Sequence, residues 1–144
     1  MEIPTRRVRD GAEMPHYAHV GDAGADLVAV EECTLAPSGG RALVGTGLSM
    51  AIPSGYAGLV VPRSGLATHH GVTCVNAPGL IDAGYRGEIK VALVNLDPAE
   101  EYVVRVGERI AQLVIVAVAA AVFTPALRLT DSSRAEGGFG SSGR

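Results

Sequence analysis

The stretch Pro62-Arg63-Ser64-Gly65 places a guanidinium group, a hydroxyl group and an unhindered glycine amide at consecutive positions. Such groups donate hydrogen bonds to phosphate oxygens, and a helix that begins there adds its first backbone N–H groups. The stretch therefore predicts a phosphate-binding turn formed by Arg63, Ser64 and Gly65. An ordinary turn with a solvated arginine is the alternative.

Asp82 lies between Ile81 and Ala83 within residues 76–85, NAPGLIDAGY, a segment rich in turn formers. A carboxylate that is fixed in direction and partly desolvated suits a general base that orients a water molecule. An aspartate in a turn also commonly accepts a hydrogen bond from nearby backbone, so both roles stay open. Because the segment keeps Leu80 and Ile81, it predicts a hairpin that lines a pocket, although a purely structural hairpin fits the same residues.

Residues 134–143, RAEGGFGSSG, combine one arginine, one aromatic ring and two serines with glycines. This composition fits an arm that closes over an anion, and a flexible tail or linker is the alternative. The glycines match the pattern G-x-G-x-x-G, which in a dinucleotide-binding fold must be followed by a helix. Only Arg144 follows, so the dinucleotide-binding interpretation fails.

The elements that position these residues are short. Nineteen glycines and eight prolines divide the chain into segments that are rich in β-branched residues or alternate apolar with polar. This pattern predicts an all-β, single-domain fold of the β-barrel or jelly-roll type. Strands are predicted over residues 27–30, 42–50, 56–61, 72–75, 88–95, 101–106 and 110–118. A short helix is predicted over residues 64–71, with Ser64 as its cap.

Two of these strands carry further detail. Ile89, Val91 and Leu93 fall on one face of a strand by the two-residue period, so Lys90 points the other way. Gln112 is a lone amide in an apolar run, so it either hydrogen-bonds inside the core or faces a ligand. The apolar stretch 113–123 is too short to span a bilayer and is predicted to be a buried strand or strand pair.

Composition bounds the class of protein. A chain of 144 residues with 47% hydrophobic residues suits one domain with a real core, although only 4% are aromatic. We expect a domain over residues 1–130 and a flexible arm over 131–144. The net charge of −3 argues against a nucleic-acid surface. Cys33 and Cys74 show no metal spacing, and the N-terminus shows no apolar signal region, so we expect free thiols, a cytoplasmic protein and no membrane partner.

Five stretches together resemble the motifs of the trimeric dUTPase family, the deoxyuridine triphosphate nucleotidohydrolases. They are residues 23–29 (AGADLVA), 62–67 (PRSGLA), 79–95 (GLIDAGYRGEIKVALVN), 107–115 (GERIAQLVI) and the arm. The resemblance extends from residue 14 to residue 143. It implies the dUTPase β-fold, a homotrimer with sites shared between subunits, and hydrolysis of dUTP to dUMP and pyrophosphate with Mg²⁺ held mainly by the substrate's phosphates.

The resemblance also implies roles for individual residues. Asp82 would activate the water that attacks the α-phosphorus, and Asp26 would support the site through an ion pair. Tyr85 would pack on the deoxyribose, and Asn76 with neighbouring backbone would read uracil. The residues expected to bind substrate are Arg63, Ser64, Gly65, Asn76, Leu80, Ile81, Asp82, Tyr85, Lys90, Gln112, Arg134, Phe139, Gly140, Ser141 and Ser142.

Two other functions fit the same fold. A dCTP deaminase needs a glutamate on the strand after the hairpin to move protons at the cytosine ring, and the matching position here is Ala92. A non-catalytic nucleotide-sensing protein would lack a catalytic residue or the arm. Neither the aspartate at position 82 nor the arm sequence is missing.

Overall fold

The computed structural model describes residues 1–132, and their regular structure is almost entirely strand. The strands are β1 (Thr5–Arg7), β2 (Ala25–Val28), β3 (Cys33–Leu35), β4 (Gly40–Gly45), β5 (Leu48–Met50), β6 (Tyr56–Val61), β7 (Val72–Cys74), β8 (Gly79–Ile81), β9 (Lys90–Asn95), β10 (Tyr102–Val104) and β11 (Arg109–Ala117). One short helix, α1 (Ser64–His70), lies between β6 and β7. The predicted all-β class is confirmed.

The strands form four antiparallel sheets. The largest has the order β2-β11-β6-β8, and the second has the order β4-β9-β7. Two further pairs, β1 with β5 and β10 with β3, complete the arrangement. Every pairing is antiparallel, and no two paired strands are consecutive in the chain, so the connections within residues 1–132 cross from one sheet to another.

The core lies between the two larger sheets. Leu27 of β2 and Leu113 of β11 contribute from one sheet, and Val91 and Leu93 of β9 contribute from the other. Ile89, Val91 and Leu93 are each 1% exposed, whereas Lys90 is exposed. The predicted buried face of β9 is therefore confirmed. The opposite face is exposed only at Lys90, because Ala92 is half-buried and Val94 is buried.

The prediction of a single strand over residues 42–50 is wrong. The chain forms β4 and β5 instead, and Gly47 between them has a φ angle of 67°. This backbone conformation ends one strand and redirects the next, and glycine adopts it without the strain that a side chain brings. As a result β4 pairs with β9, whereas β5 pairs with β1. The prediction also missed β1 and β3.

The predicted cap of α1 is also wrong by one residue. Ser64 is the first helical residue, and Arg63 is the N-cap, in an extended conformation and without a side-chain capping bond. Arg63 Nη1 donates to the carbonyl of Arg109 at 2.9 Å, which holds Arg63 against β11. The helix therefore starts after the anchored residue, and Gly71 ends it in a left-handed conformation.

Residues 76–85 are not a two-stranded hairpin. Strand β8 pairs with β6, whereas the preceding β7 pairs with β9 in the other sheet. The segment thus carries the chain from one sheet to the other, and a turn closed by Tyr85 N donating to Asp82 O at 3.0 Å follows β8. Asp82 and Tyr85 in this turn are exposed, so the turn is accessible to a ligand.

The apolar run 113–123 is a strand only in its first half. Ala117 pairs with Tyr56, the first residue of β6, so no partner strand extends beyond it. Val122 and Phe123 are 87% and 94% exposed, and none of residues 118–132 belongs to a strand or helix. Across residues 1–132, no helix has the length and apolar character needed to cross a membrane.

Candidate active site

Asp26 of β2 is the centre of a polar cluster on the largest sheet. It is only 2% exposed. Arg109 Nη1 lies 3.0 Å from its Oδ2, Arg63 Nε lies 3.6 Å from its Oδ1, and Gln112 Nε2 donates to Oδ1 at 3.3 Å. A buried carboxylate is costly unless it is paired, and these three donors supply the pairing. The cluster therefore holds two guanidinium groups and an amide at fixed positions beside each other.

A bulge in β11 brings Arg109 and Gln112 to the same side. Residues three apart in a regular strand point to opposite faces. Between Arg109 and Ala111, however, the register against β2 shifts, and the extra residue Ile110 is buried with 1% exposure. The bulge reverses the alternation, so both donors reach Asp26. Arg109 was missed in the sequence because this shift cannot be read from the spacing.

The predicted phosphate turn lies beside this cluster. Arg63 has 26% of its side chain exposed and Arg109 has 45%, so each is anchored on Asp26 and still faces solvent. Ser64 and Gly65 are exposed in the first turn of α1. The structure thus brings Arg63, Ser64, Gly65 and Gln112 together, with Arg109 as an additional cation. An anion with several oxygens fits donors arranged in this way.

A second site feature is an open groove of about 500 Å³, here called the Tyr85 groove. Its lining combines apolar side chains with ionisable ones: Leu43, Leu80, Ile81, Asp82, Tyr85, Glu88, Ile89 and Lys90. Asp82 is exposed on the turn after β8, and Leu80 is 60% exposed. A groove that combines apolar side chains with a carboxylate can contact the flat face of a ligand with the former and its polar groups with the latter. Glu88, Leu43 and Ile89 were not among the predicted site residues.

Lys90 lines this groove, whereas Asn76 is not among its lining residues. The amide of Asn76 lies over Gly79, where an added β-carbon would be 3.2 Å from Asn76 Nδ2. This places Asn76 at the start of β8, on the approach to the turn. Lys90 Nζ lies 3.7 Å from Glu88 Oε2, and 42% of its side chain is exposed. Lys90 therefore contributes positive charge at the edge of the groove.

The cluster and the groove lie at opposite ends of β6. Gly58 pairs with Ile81, so Asp82 follows β8 towards the start of β6, whereas Arg63 comes just after its end. Ala57 is the next position along this register, and the six residue steps from Ala57 to Arg63 span about 20 Å of extended chain. The backbones of Asp82 and Arg63 in the same chain are therefore well separated along β6. The remaining predicted residues, Arg134, Phe139, Gly140, Ser141 and Ser142, lie outside the described residues.

Resident metal ligands are sparse in the described part of the chain. No group of three or more His, Cys, Asp or Glu side chains within residues 1–132 lies close enough to hold an ion. Cys33 and Cys74 are free cysteines, and desolvation by burial raises the pKa of each thiol. A raised pKa keeps a thiol protonated, and a protonated thiol is a poor metal ligand.

The chain is similar to known proteins along most of its length. The family model dUTPase matches residues 10–143. The deoxyuridine 5'-triphosphate nucleotidohydrolase of Thermobifida fusca (strain YX) is 55% identical over 143 residues, which cover 99% of this chain and 79% of the relative.

Solved structures give the same result for the fold. The dUTPase of Staphylococcus bacteriophage 80alpha with dUPNHPP has a TM-score of 0.90 and 29% identity, with 99% of each chain covered. A mutant dUTPase from phage phi11 of S. aureus, described with a structural Mg(II) ion, has a TM-score of 0.81 and 26% identity, with 91% of this chain and 100% of that chain covered. The family model and the relatives together show that the chain belongs to the dUTPase family.

Proposed function

We propose that this protein is a dUTP diphosphatase, which hydrolyses dUTP to dUMP and pyrophosphate. Such an activity keeps dUTP low and supplies dUMP for thymidylate synthesis. The observation that carries the proposal is the pairing of two features in one family member. Two arginines are anchored on Asp26. A separate groove, lined by Leu80 and Tyr85, contains the exposed carboxylate of Asp82.

The triphosphate would bind at the cluster around Asp26. Arg63 and Arg109 carry two positive charges against the single negative charge of Asp26, so the cluster keeps net positive charge for an anionic ligand. Gln112 adds an amide, and Ser64 and Gly65 add a hydroxyl and a backbone N–H. Arg134, Ser141 and Ser142 of the arm would meet the distal phosphates, and Gly140 would let its backbone approach closely.

The nucleoside would lie in the groove. Leu80 and Ile81 provide apolar surface, and Asn76 with the backbone of residues 76–85 would pair with the polar edge of uracil. Cytosine presents an amino donor where uracil presents an acceptor, and such a mismatch can discriminate by several powers of ten. Tyr85 would pack against the deoxyribose and leave no room for a 2′-hydroxyl, and Phe139 would stack on the base.

Asp82 would act as the general base. Its carboxylate accepts a proton from a water molecule as the water oxygen bonds to the α-phosphorus. The bond from that phosphorus to the bridging oxygen breaks, and pyrophosphate leaves with the electron pair. The exposed position of Asp82 at the end of β8 leaves room for both the water and the substrate.

Mg²⁺ is the proposed cofactor. Its chemistry is to neutralise charge on the triphosphate as the bond to the leaving group breaks. The residues fit an ion that takes most of its ligands from phosphate oxygens, because no group of three or more His, Cys, Asp or Glu side chains within residues 1–132 could hold an ion without the substrate. Lys90, at the groove edge, would add positive charge near the bound nucleotide.

The proposed assembly is a homotrimer in the cytoplasm, with each site shared between subunits. The separation of Asp82 from Arg63 along β6 supports sharing, since a complete site then needs the anion cluster of one chain and the groove of another. The exposed apolar residues Val122 and Phe123 also favour burial against another copy.

The test is a substrate survey with purified protein and Mg²⁺. Each of dUTP, dCTP, dTTP and UTP is assayed separately for pyrophosphate and for ammonia. We expect pyrophosphate and dUMP from dUTP, near-inert behaviour of the others, and no ammonia from dCTP. Ala92 supports the last point, because it has no titratable group and lines a separate depression with Arg41 and Val75. Ammonia from dCTP, or dUTP binding without turnover, would overturn the proposal.

A further inference from the structure

The orientation of Tyr85 is set by the two residues that follow Arg86. Its hydroxyl donates a hydrogen bond to the backbone carbonyl of Glu88 at 2.9 Å. Its ring lies directly over Gly87, where an added β-carbon would be 2.6 Å from Tyr85 Cζ. The ring is otherwise open, with 44% of the residue exposed. The position of the ring therefore depends on the backbone at residues 87–88 rather than on packing in the core.

The side chain of Glu88 holds that backbone in place. Glu88 Oε1 accepts hydrogen bonds from Gly47 N at 3.0 Å and from Arg9 Nη1 at 3.4 Å, and Lys90 Nζ lies 3.7 Å from Oε2. Only 16% of the Glu88 side chain is exposed. The three donors belong to the N-terminal segment, the β4–β5 turn and β9, so one carboxylate joins three separate parts of the chain beneath Tyr85.

A second carboxylate fixes Arg9. Glu31 Oε2 accepts from Arg9 Nη2 at 3.0 Å, and Glu31 Oε1 accepts from Gly45 N at 2.6 Å. The hydrogen bond from Arg9 lowers the pKa of Glu31, and the same bond raises the pKa of Arg9. Both groups therefore stay charged across the neutral range, and Arg9 is held where it can also reach Glu88.

We propose that Glu88 is a positioning residue that fixes Tyr85 and thereby sets the preference of the Tyr85 groove for deoxyribose over ribose. An exposed tyrosine rejects a 2′-hydroxyl only if its ring cannot swing aside. The hydroxyl bond to Glu88 O and the anchors of the Glu88 carboxylate oppose that swing. Arg9 and Lys90 also neutralise a carboxylate that would otherwise repel the substrate. The inference rests on the proposed dUTP hydrolysis.

The test compares kcat/KM for dUTP with kcat/KM for UTP in the full-length protein. This ratio is insensitive to a loss of folded protein, because both substrates are turned over by the same folded population. For Glu88→Ala we expect the ratio to fall by about tenfold, the equivalent of one lost charged hydrogen bond. Glu88→Gln keeps an oxygen for Gly47 N and should retain the ratio within about threefold.

A second background shows whether Glu88 acts through Tyr85. In a Tyr85→Ala protein the ring is absent. If Glu88 acts only through that ring, adding Glu88→Ala should change the ratio by less than about twofold, because the effects of coupled residues are not additive. Multiplicative effects of the two substitutions would overturn the inference. If Glu88→Ala does not fold, Arg9→Ala replaces it, since Arg9 contacts the same carboxylate without contacting Tyr85.

The matched control is Asp97→Ala. Asp97 Oδ1 accepts two backbone N–H bonds, from Ala99 and Glu100, each at 2.8 Å, in the loop that follows β9. This variant loses comparable hydrogen bonding away from the groove, so its ratio should equal that of the parent protein. A parent that does not hydrolyse dUTP would count against the proposed function. A selective parent whose ratio is unchanged by Glu88→Ala would overturn only the role of Glu88.

Discussion

Arg109 Nη1 lies 3.0 Å from Asp26 Oδ2, and this contact crosses from β11 to β2 at a carboxylate that is 2% exposed. The contact exists because the bulge at residues 109–111 turns Arg109 to the side of Gln112. It fixes one end of a guanidinium group whose other end faces solvent. A cation that is already oriented loses less entropy when it binds phosphate, so we expect the buried aspartate to raise the affinity for substrate without touching it.

Replacing Asp26 tests this arrangement. In Asp26→Asn the amide keeps the shape but loses the charge that orients Arg63 and Arg109. We expect KM for dUTP to rise and the free energy of unfolding to fall by about 1–3 kcal/mol, less than for a fully buried pair because the arginines are partly exposed. Urea unfolding and steady-state kinetics measure the two effects. Asp22→Asn, at an exposed turn, is the control and should leave both quantities nearly unchanged.

Asp82 is the proposed base, and the Asn variant separates chemistry from binding. Asp82→Asn keeps the size of the side chain and removes the proton acceptor. We expect kcat to fall by roughly 10²–10⁴-fold, with the affinity for a non-hydrolysable dUTP analogue preserved. Because Asp82 is exposed, the unfolding midpoint should not change. Turnover close to that of the parent protein would remove Asp82 from the mechanism.

Shared sites can be detected by mixing inactive subunits. Asp82→Asn spoils the groove and Arg63→Ala spoils the anion cluster, and these lie at opposite ends of β6. If each site combines two chains, an equal mixture that exchanges subunits should regain about a quarter of the parent activity. No recovery after demonstrated exchange, or sedimentation of a fully active monomer, would contradict the shared site. Mixing two preparations of the same variant is the control.

The arm is proposed to act in turnover rather than in folding. Deleting the chain after Ser133 removes Arg134, Phe139, Ser141 and Ser142. The buried core that the structure describes is formed by side chains between Ala12 and Leu113, so we expect it to form without the arm. We expect a folded assembly with badly impaired kcat. In the intact protein, proteolysis should clip the arm without ligand and spare it with a non-hydrolysable dUTP analogue. Equal cleavage in both conditions would argue against closure over the ligand.

Acid should weaken the fold through two carboxylates. The pKa of Asp97 is lowered by backbone N–H bonds from Glu100 and Ala99, and the pKa of Glu31 is lowered by its hydrogen bond from Arg9. A lowered folded-state pKa gives stability above the unfolded pKa, and this stability is lost as pH falls through the folded pKa. We expect the urea concentration at the unfolding midpoint to decrease as the pH falls below about 4. Asp97→Asn should make that drop smaller, whereas Asp22→Asn should leave it unchanged.

Several features were determined by the sequence alone. The alternation of Ile89, Val91 and Leu93 fixed the buried face of β9, because side-chain direction in a strand follows local spacing. The β-branched and alternating segments between the glycines and prolines predicted the all-β class. Arg63, Ser64, Gly65 and Asp82 were predicted as site residues from their chemistry and from the order of the motifs, both of which can be read along the sequence.

Other features depended on pairing between distant segments. The spacing of Arg109 and Gln112 places them on opposite faces until the bulge against β2 brings both to Asp26. The distance between Asp82 and Arg63 follows from the register of β8 on β6, and the link from Glu88 to Gly47 follows from the break between β4 and β5. Register and bulges are set by which strands meet and by the core that they bury together, so only the tertiary structure decided them.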